Sequence, residues 1–186
     1  MNRRKKSNKA AVIKQVAADE ATDLVLSHLN EDGYLIATNE ELLAAARAAT
    51  ANDIRKAITR IRRFGPHGVG HRTLRECLLA QLRHQLQTIK RARCQVLFVC
   101  SKRKIAVQAK LALEGALYIV DKGLPELQRT PDKAALIRKW ARELDRPEAL
   151  IQVAIESIRS LNPRPGQSGH SCPGIAGLAS ASRYVN

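Results

Sequence analysis

Aromatic side chains are scarce: Phe, Trp and Tyr make up 3% of the 186 residues. Sheet sandwiches draw heavily on aromatic and β-branched residues, so a 45% hydrophobic content carried mainly by Ala, Leu, Ile and Val predicts packed helices instead. No run approaches the ~18 consecutive apolar residues of a membrane span. The basic N-terminus is not followed by the ~7–15-residue apolar segment of a signal peptide, so a cytoplasmic location without membrane contact is expected. Cys77, Cys94, Cys100 and Cys172 lack CxxC spacing, and a reducing compartment leaves them as thiols. His170 lies near Cys172, but the ligand spacing of structural zinc sites is missing, so no metal or other cofactor is expected. The P-loop, GxGxxG, GxSxG and HExxH patterns are all missing too. His67 and His71 have no neighbouring carboxylate to orient them as bases. Neither a catalytic site nor a small-molecule substrate is therefore expected.

Negative charge is also lacking where it would balance the positive. The formal net charge is +15, and residues 54–113 hold fifteen Lys and Arg against the single acid Glu76. Such a field favours nucleic acid or an acidic protein surface, and salt screens it. Arg60, Arg62, Arg63, Lys102, Arg103 and Lys104 are the candidate basic patch. A second cluster, Arg3, Arg4, Lys5, Lys6 and Lys9, opens the chain.

The patterning predicts an all-α protein of two small helical subdomains. Residues 1–14 are polar and aperiodic, which is the composition of a flexible basic arm. A first subdomain is expected over residues 15–90. There Ala21, Leu24, Val25, His28 and Leu29 share one helical face, on which His28 is a packed or boundary residue. Thr38 with Glu41, and Thr73 with Glu76, have capping-box spacing. Ile54, Ala57, Ile58 and Ile61 form another apolar face that ends at Gly65-Pro66, because proline biases its predecessor away from helix. A long stripe follows: Leu74, Cys77, Leu78, Gln81, Leu82, Gln85, Leu86 and Ile89. Residues 91–108 are expected to be a linker, with Cys94 to Cys100 as buried helix or irregular chain. The second subdomain is expected over residues 109–162, with its first helix ending at Lys122-Gly123 and a connection beginning at Leu124-Pro125. Thr130-Pro131 and then Pro147 are expected to start the two helices of a helix-turn-helix-like hairpin. Residues 163–186, rich in Pro, Gly and Ser, are expected to be a disordered tail.

Three stretches carry a family resemblance. Leu29-Asn30-Glu31-Asp32-Gly33-Tyr34-Leu35 resembles the DGYL turn of the sigma-54 (sigma-N) family of bacterial transcription factors. Residues 61–82, with Phe64-Gly65-Pro66-His67-Gly68-Val69-Gly70 followed by Leu74-Arg75-Glu76-Cys77-Leu78, resemble its PxGVxARDLxECLxxQL segment. Ser160-Leu161-Asn162-Pro163-Arg164-Pro165-Gly166 resembles its SLNPRPG segment. The three occur in the family's order. The resemblance implies the central core-binding region of such a factor, a transcription initiation module that attaches to core RNA polymerase and meets DNA as part of the holoenzyme. On that footing Tyr34, Phe64, Pro66, Gly68, Val69, Arg72 and Arg164 are the candidates for polymerase contact. Gly33, Gly68, Glu76 and Cys77 are chiefly fold determinants, whereas Tyr34, Arg72 and Arg164 have polar tips suited to presentation on loops.

The sequence departs from the family pattern in places. Gly65 stands where the family has an acidic residue, His71 where it has a small one, and Thr73 where Asp is usual; Thr73 keeps the capping chemistry. Residues 89–108 match no family segment. The family's glutamine-rich N-terminal region and its C-terminal promoter-reading elements have no counterpart, so a truncated or divergent member is expected. The alternative reading is a basic DNA-binding protein independent of polymerase, using the hairpin between Thr130 and Leu161 for recognition.

Overall fold

A computed structural model describes residues 18–95 and 100–167, with side chains described outside 92–106. The expected helical class is what it shows: among the described residues the only β-pairing is an isolated bridge between Leu29 and Leu35. No described helix is long and apolar enough to cross a membrane.

The chain forms two compact units, one built from residues up to Arg72 together with residues from Arg164 onward, the other spanning Thr73–Pro163. The first contains α1 (residues 18–27), α2 (Asn39–Ala45) and α3 (Ala51–Phe64), plus a single 3-10 turn at Pro165–Gln167. Ala21 and Val25 of α1 are fully buried with Leu42 of α2 and Ile54, Ala57, Ile58 and Ile61 of α3. His28 turns its Nδ1 to the Leu24 carbonyl at 2.8 Å, a boundary histidine held by its own helix. Thr38 and Glu41 form the expected capping box. Thr50 and Asp53 form a second, and each side-chain cap of this kind contributes about 1 kcal/mol. The Thr50 hydroxyl and amide hydrogen bonds hold the Asp53 carboxyl below its usual range, with a smaller contribution from Lys56. Glu20 on α1 accepts the backbone N–H groups of Arg47 (2.6 Å) and Ala48 (3.0 Å), fixing the link between α2 and α3.

The second unit contains α4 (Leu74–Gln95), α5 (Cys100–Tyr118), a π-turn (Ile119–Gly123), α6 (Leu124–Arg129), α7 (Lys133–Glu143) and α8 (Glu148–Arg159). Helices α4 and α8 both pack on α5, around a core that includes Leu82, Ile119, Trp140 and Ile151. Gly115 of α5 faces Ala154 of α8, and a Cβ there would meet the Ala154 methyl at an ordinary 3.5 Å. Buried Gln81 donates to the Asn162 carbonyl (2.7 Å) and accepts from the Asn162 N–H (3.0 Å), tying the end of the unit back to α4.

Several boundaries differ from the sequence reading. The division expected after residue 90 falls at Arg72/Thr73, because the α4 stripe of Leu74, Leu78, Leu82, Leu86 and Ile89 packs into the second core. The expected linker over 91–108 is largely helical: α4 reaches Gln95 and α5 starts at Cys100. Residues 96–99, the arm over 1–14 and the tail over 168–186 lie outside the described residues. Residues 164–167, expected within that tail, are folded: Pro165 is buried and the Gly166 N–H donates to the Asp32 carbonyl at 2.9 Å. Helix does not stop at Gly123; it widens into the π-turn and continues as α6, with Pro125 in its first turn. Asp132, not Thr130, caps α7, its carboxylate accepting from the N–H groups of Ala134 and Ala135. Pro147 occupies the cap of α8 rather than its first helical position.

Candidate functional site

Three loops of the first unit converge. Helix α3 ends when the Gly65 N–H donates to the Ile61 carbonyl at 2.8 Å. A Cβ at Gly65 would sit 2.8 Å from that same oxygen, so a side chain there would have to shift the turn. The chain then turns through Pro66, with the Val69 N–H donating to the Pro66 carbonyl at 3.0 Å. Gly68 (φ +106) and Gly70 (φ +74) hold left-handed conformations that side chains rarely adopt. Gly33 (φ +88) turns residues 29–36, and Asn30 Oδ1 accepts the Tyr34 N–H at 2.8 Å.

Backbone bonds join these loops. The Gly70 N–H donates to Gly33 O at 2.9 Å, Leu35 N–H to His71 O at 3.0 Å, and Gly166 N–H to Asp32 O at 2.9 Å. Packing there is too close for side chains: a Cβ on Gly166 would lie 2.5 Å from Glu31 O and 2.6 Å from Gly33 N. Residues from each of the three stretches that carry the family resemblance, those up to Arg72 and from Arg164 onward, thus meet within this unit in one backbone junction.

The candidate residues divide by what they touch. Gly68 and Val69 are buried in the junction, so they act on a partner only by setting the loop's position. Arg72 donates to the Ala37 carbonyl (2.8 Å) and to Asn39 Oδ1 (3.0 Å), and Arg62 donates through Nε to the Gly70 carbonyl (2.9 Å); both are committed to holding loops. Tyr34 and Pro66 are half-buried at the rim. Arg164 is exposed, with Nε 3.8 Å from an Asp32 carboxylate oxygen. Phe64 is 58% exposed at the end of α3, and the Arg63 guanidinium lies 5.5 Å from its ring centroid. Arg60 and Arg63 are exposed. Lys102, Arg103 and Lys104 lie on α5, and their side chains fall outside those described.

Two features escaped the sequence reading. Ile36, 71% exposed, stands beside the junction as an unburied β-branched side chain; its position one residue beyond the DGYL turn, out of register with buried Leu35 and Ala37, was the available signal. Arg55 and Lys56, counted in the basic block but not among the candidate patch, extend the row of Arg60 and Arg63 along α3, on the side opposite Ile54, Ala57, Ile58 and Ile61.

In the second unit, α7 and α8 meet at a turn where Asp145 has φ +49. Arg138, Arg142 and Arg146 line an open depression of about 500 Å³ there. Arg146 bonds the Leu111 carbonyl and lies 3.3 Å from Glu114, which anchors the turn to α5. The exposed face of α8 carries Glu148, Gln152, Val153, Glu156 and Arg159, and its opposite face is buried. Two carboxylates against one guanidinium form a poor surface to lay along phosphates.

Comparison with known proteins agrees with the junction's motifs. Residues 11–173 match the family described as sigma-54 factor, core binding domain. The chain is similar to an RNA polymerase sigma-54 factor of Xanthomonas euvesicatoria, 33% identical over 147 residues, covering 77% of this chain and 25% of that protein. It is similar to one from Pseudomonas aeruginosa (30% identical, 76% of this chain, 24% of that protein) and one from Sinorhizobium fredii (31% identical, 88% and 27%). The chain spans about a quarter of the length of these relatives.

Proposed function

The chain belongs to the sigma-54 core-binding domain family, and from that premise we propose that it is a docking module for core RNA polymerase, acting in transcription initiation. The observation that carries this reading is that residues from the three resemblance stretches, distant in sequence, build one backbone-bonded, closely packed junction beside exposed Ile36. Loops held by mutual backbone bonds present a surface already in its binding geometry, which lowers the ordering cost of association. Ile36 supplies the apolar anchor, Tyr34 and Pro66 the rim, and Arg164 a charge. Contact with DNA in this reading belongs to the assembled holoenzyme.

A polymerase-independent DNA reader built on α7 and α8 is the weaker reading, because α8 exposes acids and buries its other face. A photocrosslinking side chain at position 36 tests the proposal. It is expected to label a subunit of core polymerase, and probes at positions 34 and 164 to label the same subunit. Retention of the chain by polymerase with no crosslink from any of the three positions would move the docking surface elsewhere.

A further inference from the structure

The row on α3 is a second surface, separate in its chemistry from the junction. Arg55, Lys56, Thr59, Arg60, Arg63 and Phe64 recur at spacings of one and four, so they share the helix face turned away from the core. At 1.5 Å per residue the row runs about 14 Å. These six residues border a shallow groove of about 340 Å³. All are exposed, and none of the four cations forms an ion pair among the described residues. The one acid of α3, Asp53, is hydrogen-bonded by Thr50 at the helix start and interacts less strongly with Lys56.

We propose that this α3 face binds the phosphodiester backbone of nucleic acid. Four clustered cations, none in an ion pair among the described residues, are costly to bury against a protein surface that does not neutralise each of them. Along a nucleic-acid strand the same side chains stay wet and gain by releasing condensed counterions. Arg55 and Arg63 flank Thr59 on one row and Lys56 and Arg60 lie on the next, so four cationic donors line the face at helical spacing, while the Thr59 hydroxyl is spent on the Arg55 carbonyl at 2.8 Å. Phe64 closes one end, where an exposed aromatic surface beside an arginine can take a base from a single strand. The inference does not depend on the polymerase reading.

The test uses the full chain with a short duplex DNA and a single-stranded oligonucleotide of the same length, each across a salt series. The variant R55Q/K56Q/R60Q/R63Q alters only exposed positions, and its helix content by circular dichroism should equal that of the wild type. If all four cations meet phosphates, its log Kd against log salt should flatten by about 3.6 on duplex and about 2.8 on single strand. R55K/R60K/R63K, which keeps the charge, should stay within about threefold of wild type. Phe64→Ala should weaken single-strand binding about tenfold and leave duplex binding unchanged; no change on single strand removes the stacking role. An equal or greater loss in K102Q/R103Q/K104Q, with the α3 variant binding like wild type, overturns the proposal. So does an α3 variant that keeps its nucleic-acid slope while losing binding to polyglutamate, the outcome for an acidic protein partner.

Discussion

Replacing Gly166 with Ala tests whether the junction is as tightly made as its geometry indicates. A Cβ there would lie 2.5 Å from Glu31 O, 2.6 Å from Gly33 N and 2.8 Å from the Asp32 carbonyl carbon. All three are backbone atoms of one tight turn, so no side chain can swing aside to relieve the clash. The cheapest relief lifts residues 164–167 off the turn. That movement breaks the Gly166–Asp32 backbone bond and exposes buried Pro165. A net backbone bond contributes about 1 kcal/mol and the proline burial about another 1–2 kcal/mol, so the first unit should lose about 2–3 kcal/mol. For a unit of this size each kcal/mol moves the melting point by roughly 4–8 °C, so a downward shift of about 8–24 °C is expected. Circular dichroism melting gives the shift, and amide exchange at Gly70 and at position 166 locates it. A variant melting within about 2 °C of wild type, with exchange unchanged at both amides, would show that the segment is not seated against the turn.

Gln81→Leu removes both bonds to Asn162 and should destabilise the second unit by about 1–3 kcal/mol, measured by urea unfolding; a neutral result would mean that this tie contributes nothing. Gly123→Ala places a methyl 2.7 Å from Trp140 Cζ2, so overpacking of about 1–3 kcal/mol is expected, with a change in the emission of the sole tryptophan. Unchanged emission and stability would contradict the close π-turn packing. Asp53 titrates below its ordinary value when folded, so its contribution is present above the usual carboxylate range and is lost as pH falls through the depressed value. Thr50→Val removes the hydroxyl bond and keeps the amide bond, so it should return the carboxyl titration, followed by NMR, part of the way toward the ordinary value; an unmoved titration would assign the shift to the residue 50 amide, with Lys56 contributing less.

Much of the fold was legible because the signals were local. The Ile54, Ala57, Ile58 and Ile61 face and the Gly65-Pro66 stop predicted α3 closely, since period and proline geometry act within one element. The division between units was not, because it depends on which core receives the α4 stripe, and Leu78 and Leu82 are equally apolar wherever they pack. Residues 164–167 carry the composition of loose chain, yet Gly166 is needed where it touches Gly33, more than 130 positions earlier. Composition cannot register such a contact. Gly123 was misread for a related reason: its lack of a side chain serves Trp140 across the core rather than ending a helix. At the candidate site, Arg60 and Arg63 were legible as exposed charges, whereas Phe64, expected to open the loop, is the last residue of α3. The commitment of Arg62 and Arg72 to the carbonyls of Gly70 and Ala37 was not, because guanidinium and partner come from separate loops.

The affinity of the purified chain for core RNA polymerase, measured beside that of Ile36→Asp across a salt series, bears most directly on the docking role. The wild type should bind at low and at physiological salt, and Ile36→Asp should lose at least tenfold in affinity at every salt concentration, because a buried apolar anchor is not screened. No binding by wild type at low salt, or equal binding by both proteins, would contradict the assignment of this chain as a polymerase-docking module anchored beside the junction.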